Sequence, residues 1–191
     1  MSKPPIELLT PEQAREAAAT VGLPEMMANL NVFAGLLHDP PVAKAMADLL
    51  ATLLFGGQLD ARLRELVIMR LGWGCGSVYE WTQHWPLALG VGISEETCLA
   101  VRDWRGSQLF SELERAVLAA TDETISGTNI NDETWAVLRR HLPTAQLVEL
   151  VVVISHWRLY ASLLNTLEIP LEEGVAPWPP DGQGPRQSPR G

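Results

Sequence analysis

Helix-start signals recur along the whole chain and leave little room for any other element. Thr10-Pro11-Glu12-Gln13 and Ser111-Glu112-Leu113-Glu114 are capping boxes, the first with proline at the opening helical position. Asp60, Ser94 and Asn131 stand where N-caps belong, and Pro143-Thr144 opens a long apolar run. Stops alternate with the starts, at Gly22-Leu23-Pro24, His38-Asp39-Pro40, Gly56-Gly57 and Gly90-Val91-Gly92. The punctuation predicts helices from Pro11 to about Gly22, then over 26–37, 41–55, 61–71, 77–89, 94–104, 112–125, 132–141 and 144–164. Residues 148–154 (VELVVVI) are β-branched enough for a strand, but helical patterning flanks them on both sides. The chain reads as all-α.

A length of 191 residues and 47% hydrophobic content suit one compact domain with a sizeable core. The expected division is a helical arm over 1–27, a body over 28–173 and a tail over 174–191. That tail holds five prolines and four glycines and is expected to be disordered. The net charge of −9, with no Lys/Arg-rich run, argues against nucleic acid and against anionic membranes. No run approaches the ~18 apolar residues of a membrane span, and the N-terminus lacks a signal-like apolar region. Two cysteines, Cys75 and Cys98, form no CxxC pair and suggest a reducing, cytoplasmic setting.

Ala61-Arg-Leu-Arg-Glu-Leu-Val67 matches Ala145-Gln-Leu-Val-Glu-Leu-Val151 at five of seven positions, which suggests two copies of a helical unit. Carried on without gaps, Ser77, Glu80 and His84 of the first copy correspond to Ala161, Leu164 and Glu168 of the second. Polar chemistry is thus confined to the first.

The candidate site is the stretch from Gly74 to Pro86. On a helix advancing about 100° per residue, Ser77, Glu80 and His84 share one stripe. A Glu and a His four residues apart can hydrogen-bond, and burial with mutual charge can tune both toward neutral pH. Ser77 fits an N-cap, with its hydroxyl on the backbone N–H of Tyr79 or Glu80. Glu65 lies among apolar residues and needs a partner, either an arginine or the site itself. Cys75 sits in the Gly72–Gly76 hinge, and Trp73, Trp81 and Trp85 lie close by. Pro86 is expected to kink or end the helix after His84. No ligand set for a metal stands out; Glu80, His84 and His156 are the nearest to one.

Arg64-Glu-Leu-Val-Ile-Met-Arg70, Tyr79-Glu-Trp-x-x-His84 and Gly90-Val-Gly-Ile-Ser94 resemble the carboxymuconolactone decarboxylase/AhpD-like superfamily over roughly residues 28–170. The resemblance extends to Glu114-Arg-Ala-Val-Leu and Gln146-Leu-Val-Glu-Leu. Peroxidase members carry Cys-x-x-Cys-x-x-x-His with an upstream glutamate. Laid on this chain, those positions fall on Ser77, Glu80, His84 and Glu65, so both cysteines are absent. A disulfide-cycling mechanism requires two thiols. The resemblance implies an AhpD-like helical bundle, homo-oligomers (trimers or hexamers) and acid–base chemistry without metal or organic cofactor. A small carbonyl, lactone or carboxylate substrate would meet Glu80, His84 and Glu65, with Ser77, Trp81, Trp73 and Cys75 lining its site. Two other readings are an antioxidant peroxidase using Cys75, and a non-catalytic oligomer with a degenerate site.

Overall fold

A computed structural model describes residues 4–127 and 129–186; every regular element among them is helical. The chain divides into two compact units, residues 1–57 with 163–175, and residues 58–162 with 176–191. Of the tail expected over 174–191, residues 187–191 lie outside the described residues.

The first unit holds α1 (Pro11–Thr20), α2 (Glu25–Ala28), α3 (Asn31–Leu36) and α4 (Pro40–Ala51), followed by a π-helical turn over Thr52–Gly56. The capping box of α1 forms as expected, with Thr10 and Gln13 bonded reciprocally. Of the arm expected over 1–27, the helix Pro11–Thr20 does not stand apart. Ala14 and Ala18 are fully buried, and α1 packs on α2, α3 and α4. The helix expected over 26–37 breaks at Asn29-Leu30. Long-range partners explain the break: the Asn31 N–H donates to Glu172, and its side-chain amide donates to the carbonyls of Pro170 and Leu171.

The second unit holds α5 (Ala61–Gly74), α6 (Val78–Gly90), α7 (Glu95–Ala100), α8 (Glu112–Ser126), α9 (Asp132–His141) and most of α10 (Thr144–Thr166), with a 3₁₀ turn over Val101–Asp103. Both copies of the matching heptad are helical, but their glutamates differ in role. Glu149 accepts from the N–H groups of Gln58 and Leu59, ahead of α5. Residues 148–154 are helix, as expected. By length and composition α10 is apolar enough to cross a membrane, with mean hydropathy 1.5. Its side chains Leu150, Val153, Ile154, Trp157 and Ala161 are instead buried in the fold.

The glycine hinge works differently from the sequence expectation. Gly72 and Gly74 lie inside α5, and only Cys75-Gly76 turns the chain, with Gly76 at φ +62°. Gly72 allows α5 and α6 to touch at the backbone: a Cβ there would stand 2.9 Å from the Trp81 nitrogen. Helix α6 runs through Pro86 to Gly90. One forfeited hydrogen bond costs less than ending a helix that buries Tyr79, Trp81, Trp85 and Ala88 on both sides of the proline.

Residues 176–186 are not a disordered tail. Trp178 packs against Trp73 and Trp81 at centroid distances of 5.9 and 6.1 Å. The Trp178 N–H donates to the Thr82 hydroxyl, the Trp81 indole donates to the carbonyl of Pro179, and Asp181 takes a two-point contact from Arg102. Pro/Gly-rich composition weakens local structure, but one large aromatic side chain with a half-open tryptophan surface to land on is enough to dock the segment.

Candidate active site

Glu65 on α5 and His84 on α6 meet inside the second unit, drawn together by the Gly72 contact between the two helices. Glu65 is 1% exposed, Glu80 4% and His84 7%. Glu65 uses both oxygens: Oε2 lies 2.8 Å from His84 Nδ1, and Oε1 accepts from Arg64 at 3.2 Å. An arginine and the site were the two partners open to it, and it takes both. His84 Nε2 receives the indole N–H of Trp157 at 3.2 Å and stands 3.6 Å from Glu80 Oε2.

These partners fix the tautomer. An indole N–H can only donate, so Nε2 presents its lone pair and the ring proton sits on Nδ1, donated to Glu65. The spacing of the sequence pointed to Glu80 as the residue that orients His84. The structure gives that part to Glu65, because the i,i+4 pair on α6 is longer than a hydrogen bond while the contact across helices is not.

Burial pushes the Glu80 carboxyl up to about 7; the His84 charge opposes this and the Glu65 charge adds to it. Burial also works against a charged His84, but the bond to Glu65 and the charges of Glu65 and Glu80 more than offset it and leave its pKa above the ordinary value. Glu80 is thus poised to hold or release a proton near neutrality. The folded chain keeps on Glu80 a proton that the unfolded chain releases from pH ~4.5 upward. Stability should therefore fall as pH rises through the window from about 4.5 to about 7. Glu80→Gln should lose less stability than the wild type across this window in urea unfolding; equal losses would contradict the burial of an ionisable group here.

The other expected site residues find different surroundings. Ser77 is the N-cap residue of α6, yet its hydroxyl caps nothing and is buried with no partner. Trp81 belongs to the core, its ring against Trp73, Trp85 and Trp178. Trp73 is half-buried and, with Trp81, faces the guanidinium of Arg102 at 4.7 and 5.0 Å. Cys75 is half-buried and Cys98 buried; neither forms a disulfide. Burial raises both thiols, Cys98 to about 11. Among the described residues no three His, Cys, Asp or Glu side chains group so as to hold a metal ion. The His156 ring lies edge-on to Trp157 and Tyr160.

The model of the carboxymuconolactone decarboxylase family matches residues 40–123, which span Glu65, Glu80 and His84. Solved structures share the fold. A putative antioxidant defence protein AhpD from Agrobacterium tumefaciens is 22% identical, with a TM-score of 0.66 over 70% of this chain and 92% of that one. Over residues 40–123 the chain is similar to the carboxymuconolactone decarboxylase family, and its fold is that of AhpD-like proteins. Other solved structures align along most of its length. The debrominase Bmp8 in complex with 2,3,4-tribromopyrrole is 17% identical, with a TM-score of 0.69 over 90% of this chain and 95% of that one. An uncharacterized peroxidase-related protein from Ralstonia eutropha is also 17% identical, with a TM-score of 0.68 over 90% and 92%. No curated protein sequence matches the chain.

The sequence reading missed Trp157 and Tyr160. The available signal was the cluster His156, Trp157 and Tyr160 at helical spacing within the otherwise apolar run from Leu147 to Leu164. Its offset from the polar stripe by seventy-odd residues concealed the connection.

Proposed function

We propose that the chain is a carboxymuconolactone decarboxylase-like enzyme that moves a proton on a small carbonyl, lactone or carboxylate substrate, by isomerisation or decarboxylation. One observation carries the reading: a buried Glu65–His84 hydrogen bond of 2.8 Å, with a second carboxyl, Glu80, 3.6 Å from the basic nitrogen of the same ring. Glu65 holds the ring in the tautomer whose Nε2 is basic; the Trp157 indole N–H gives up that lone pair when Nε2 takes a proton, and Glu65 stabilises the imidazolium that forms. Glu80 exchanges that proton with the substrate or with the ring, according to which is the stronger base at that step. Glu80 and His84 are both buried, so a substrate that reached them would meet little water, which strengthens both groups' hold on developing charge.

The thiol reading draws less support. Neither cysteine occupies a position of the Cys-x-x-Cys pair, and burial raises both thiols away from the reactive thiolate. A reducing, cytoplasmic setting suits two such free cysteines.

The test is solvent deuterium exchange at carbons next to a carbonyl, followed by NMR across a set of small lactones and keto acids. The wild type should speed exchange for at least one compound, with or without a chelator. His84→Ala, Glu80→Gln and the double variant should each lose at least about 100-fold, by similar rather than additive amounts. If the wild type matches His84→Ala throughout, the non-catalytic reading takes its place.

The chain is also proposed to self-associate. Val148, Val151 and Leu159 remain exposed as an apolar stripe on α10. Light scattering should read a multiple of 21.0 kDa, three or six copies; a mass of one copy would refute this.

A further inference from the structure

Among the described residues of the second unit, Ser77 Oγ, His156 Nε2 and Tyr160 OH are buried with no hydrogen-bond partner, as are the Arg102 Nε and Glu149 Oε1 atoms of two half-buried side chains. An unpaired buried group of this kind is costly, and folded proteins keep few of them without a use. Tyr160 is near enough to Glu80 to feel its charge, and Ser77 and His156 are tied to the Glu65–His84–Glu80 group through neighbours. Ser77 precedes Glu80 by three residues at the start of α6, on the same stripe. Tyr160 follows Trp157 by three residues on α10, and the Trp157 indole is the group that reaches His84 Nε2.

The tyrosine is held as a neutral donor. Burial and the charge of Glu80 both push its phenol up, away from ionisation. The His156 ring sits edge-on to it at 4.9 Å and edge-on to Trp157 at 5.1 Å, fixing one against the other. Burial holds His156 well below its ordinary value, at about 4, so it adds no positive charge. The set is therefore neutral and rich in hydroxyls. Such a set of donors suits an oxygen that gains negative charge during reaction.

We propose that Tyr160 OH, supported by Ser77 and His156, is the oxygen-recognising part of this site and donates to the carbonyl oxygen of a small enolisable substrate. This rests on the acid–base reading above. As the neighbouring C–H bond breaks, its proton passes to the His84–Glu80 unit and its electron pair moves onto that oxygen. The Tyr160 O–H then holds an enolate without surrendering its own proton.

The probe is 4-nitrophenol, whose anion is a planar oxyanion resembling an enolate and whose absorbance reports binding. Carbon-13 labelling of the two tyrosines gives a second readout. The wild type should bind the probe saturably, and the Tyr160 ring signal should shift while that of Tyr79 stays. Tyr160→Phe should weaken binding about tenfold or more, and Ser77→Ala by less. The proposal is overturned if the wild type shows no saturable binding, if the Tyr160 signal does not move, or if Tyr160→Phe binds as tightly as wild type. Should Tyr160→Phe not fold, the labelled wild type decides by its signal alone. Failure of the acid–base reading looks different: probe binding would depend on Tyr160 while no carbonyl compound exchanged deuterium. Exchange with a Tyr160-independent probe site would refute only the oxygen site.

Discussion

Glu65→Ala should lower the melting temperature by about 10 °C, among the largest single-residue effects in the protein. The carboxylate is buried, and its removal strands the Nδ1–H of His84 and takes a bond from Arg64. Breaking a buried charged pair from one side costs about 3–5 kcal/mol, and a chain of this size loses roughly 2–4 °C per kcal/mol. Glu65→Gln keeps a hydrogen-bond acceptor and should lose less than half as much. His84→Ala combined with Glu65→Ala should cost less than the sum of the two, because each already removes the same bond. A Glu65→Ala protein as stable as wild type would mean that the bond to His84 does not hold in solution, and the tautomer argument would fall with it.

Deleting residues 176–191 should cost about 3 kcal/mol, although the sequence of this segment suggests that it could be removed freely. The deletion exposes one face of the Trp73–Trp81 pair and removes Trp178, worth about 2 kcal/mol for a half-buried tryptophan. It also leaves the buried Trp81 indole N–H without its carbonyl, worth about 1 kcal/mol or more. Ordering the segment offsets part of this. The melting temperature should drop by roughly 6–12 °C, and Trp178→Ala alone should reproduce more than half of the drop. Unchanged melting in both variants would show that the segment does not dock. The residues of this contact lie on the Trp73 and Arg102 side of α6, so deuterium exchange activity should survive in whatever fraction of the truncated protein stays folded.

The sequence by itself determined the helical class, most helix starts and the polar stripe of α6. These are local properties: a capping box bonds residues three apart, and a stripe follows from helical pitch. The Thr10, Ser94, Ser111 and Asn131 caps all form with their side chains bonded as expected. What the stripe could not reveal was which of its members are bonded to what. Helical spacing placed Glu80 beside His84 but not within a hydrogen bond, and it placed Ser77 at a cap whose hydroxyl bonds no backbone N–H. Those choices depend on the distance between helices, which Gly72 sets by letting the Trp81 backbone approach. The same holds for Trp157, Tyr160 and Trp178. Each is unremarkable in its own segment and acquires a role only against residues about seventy to one hundred positions away. Local sequence decides which dihedral angles are cheap, whereas partners across the fold are decided by packing, and packing is a property of all the helices together.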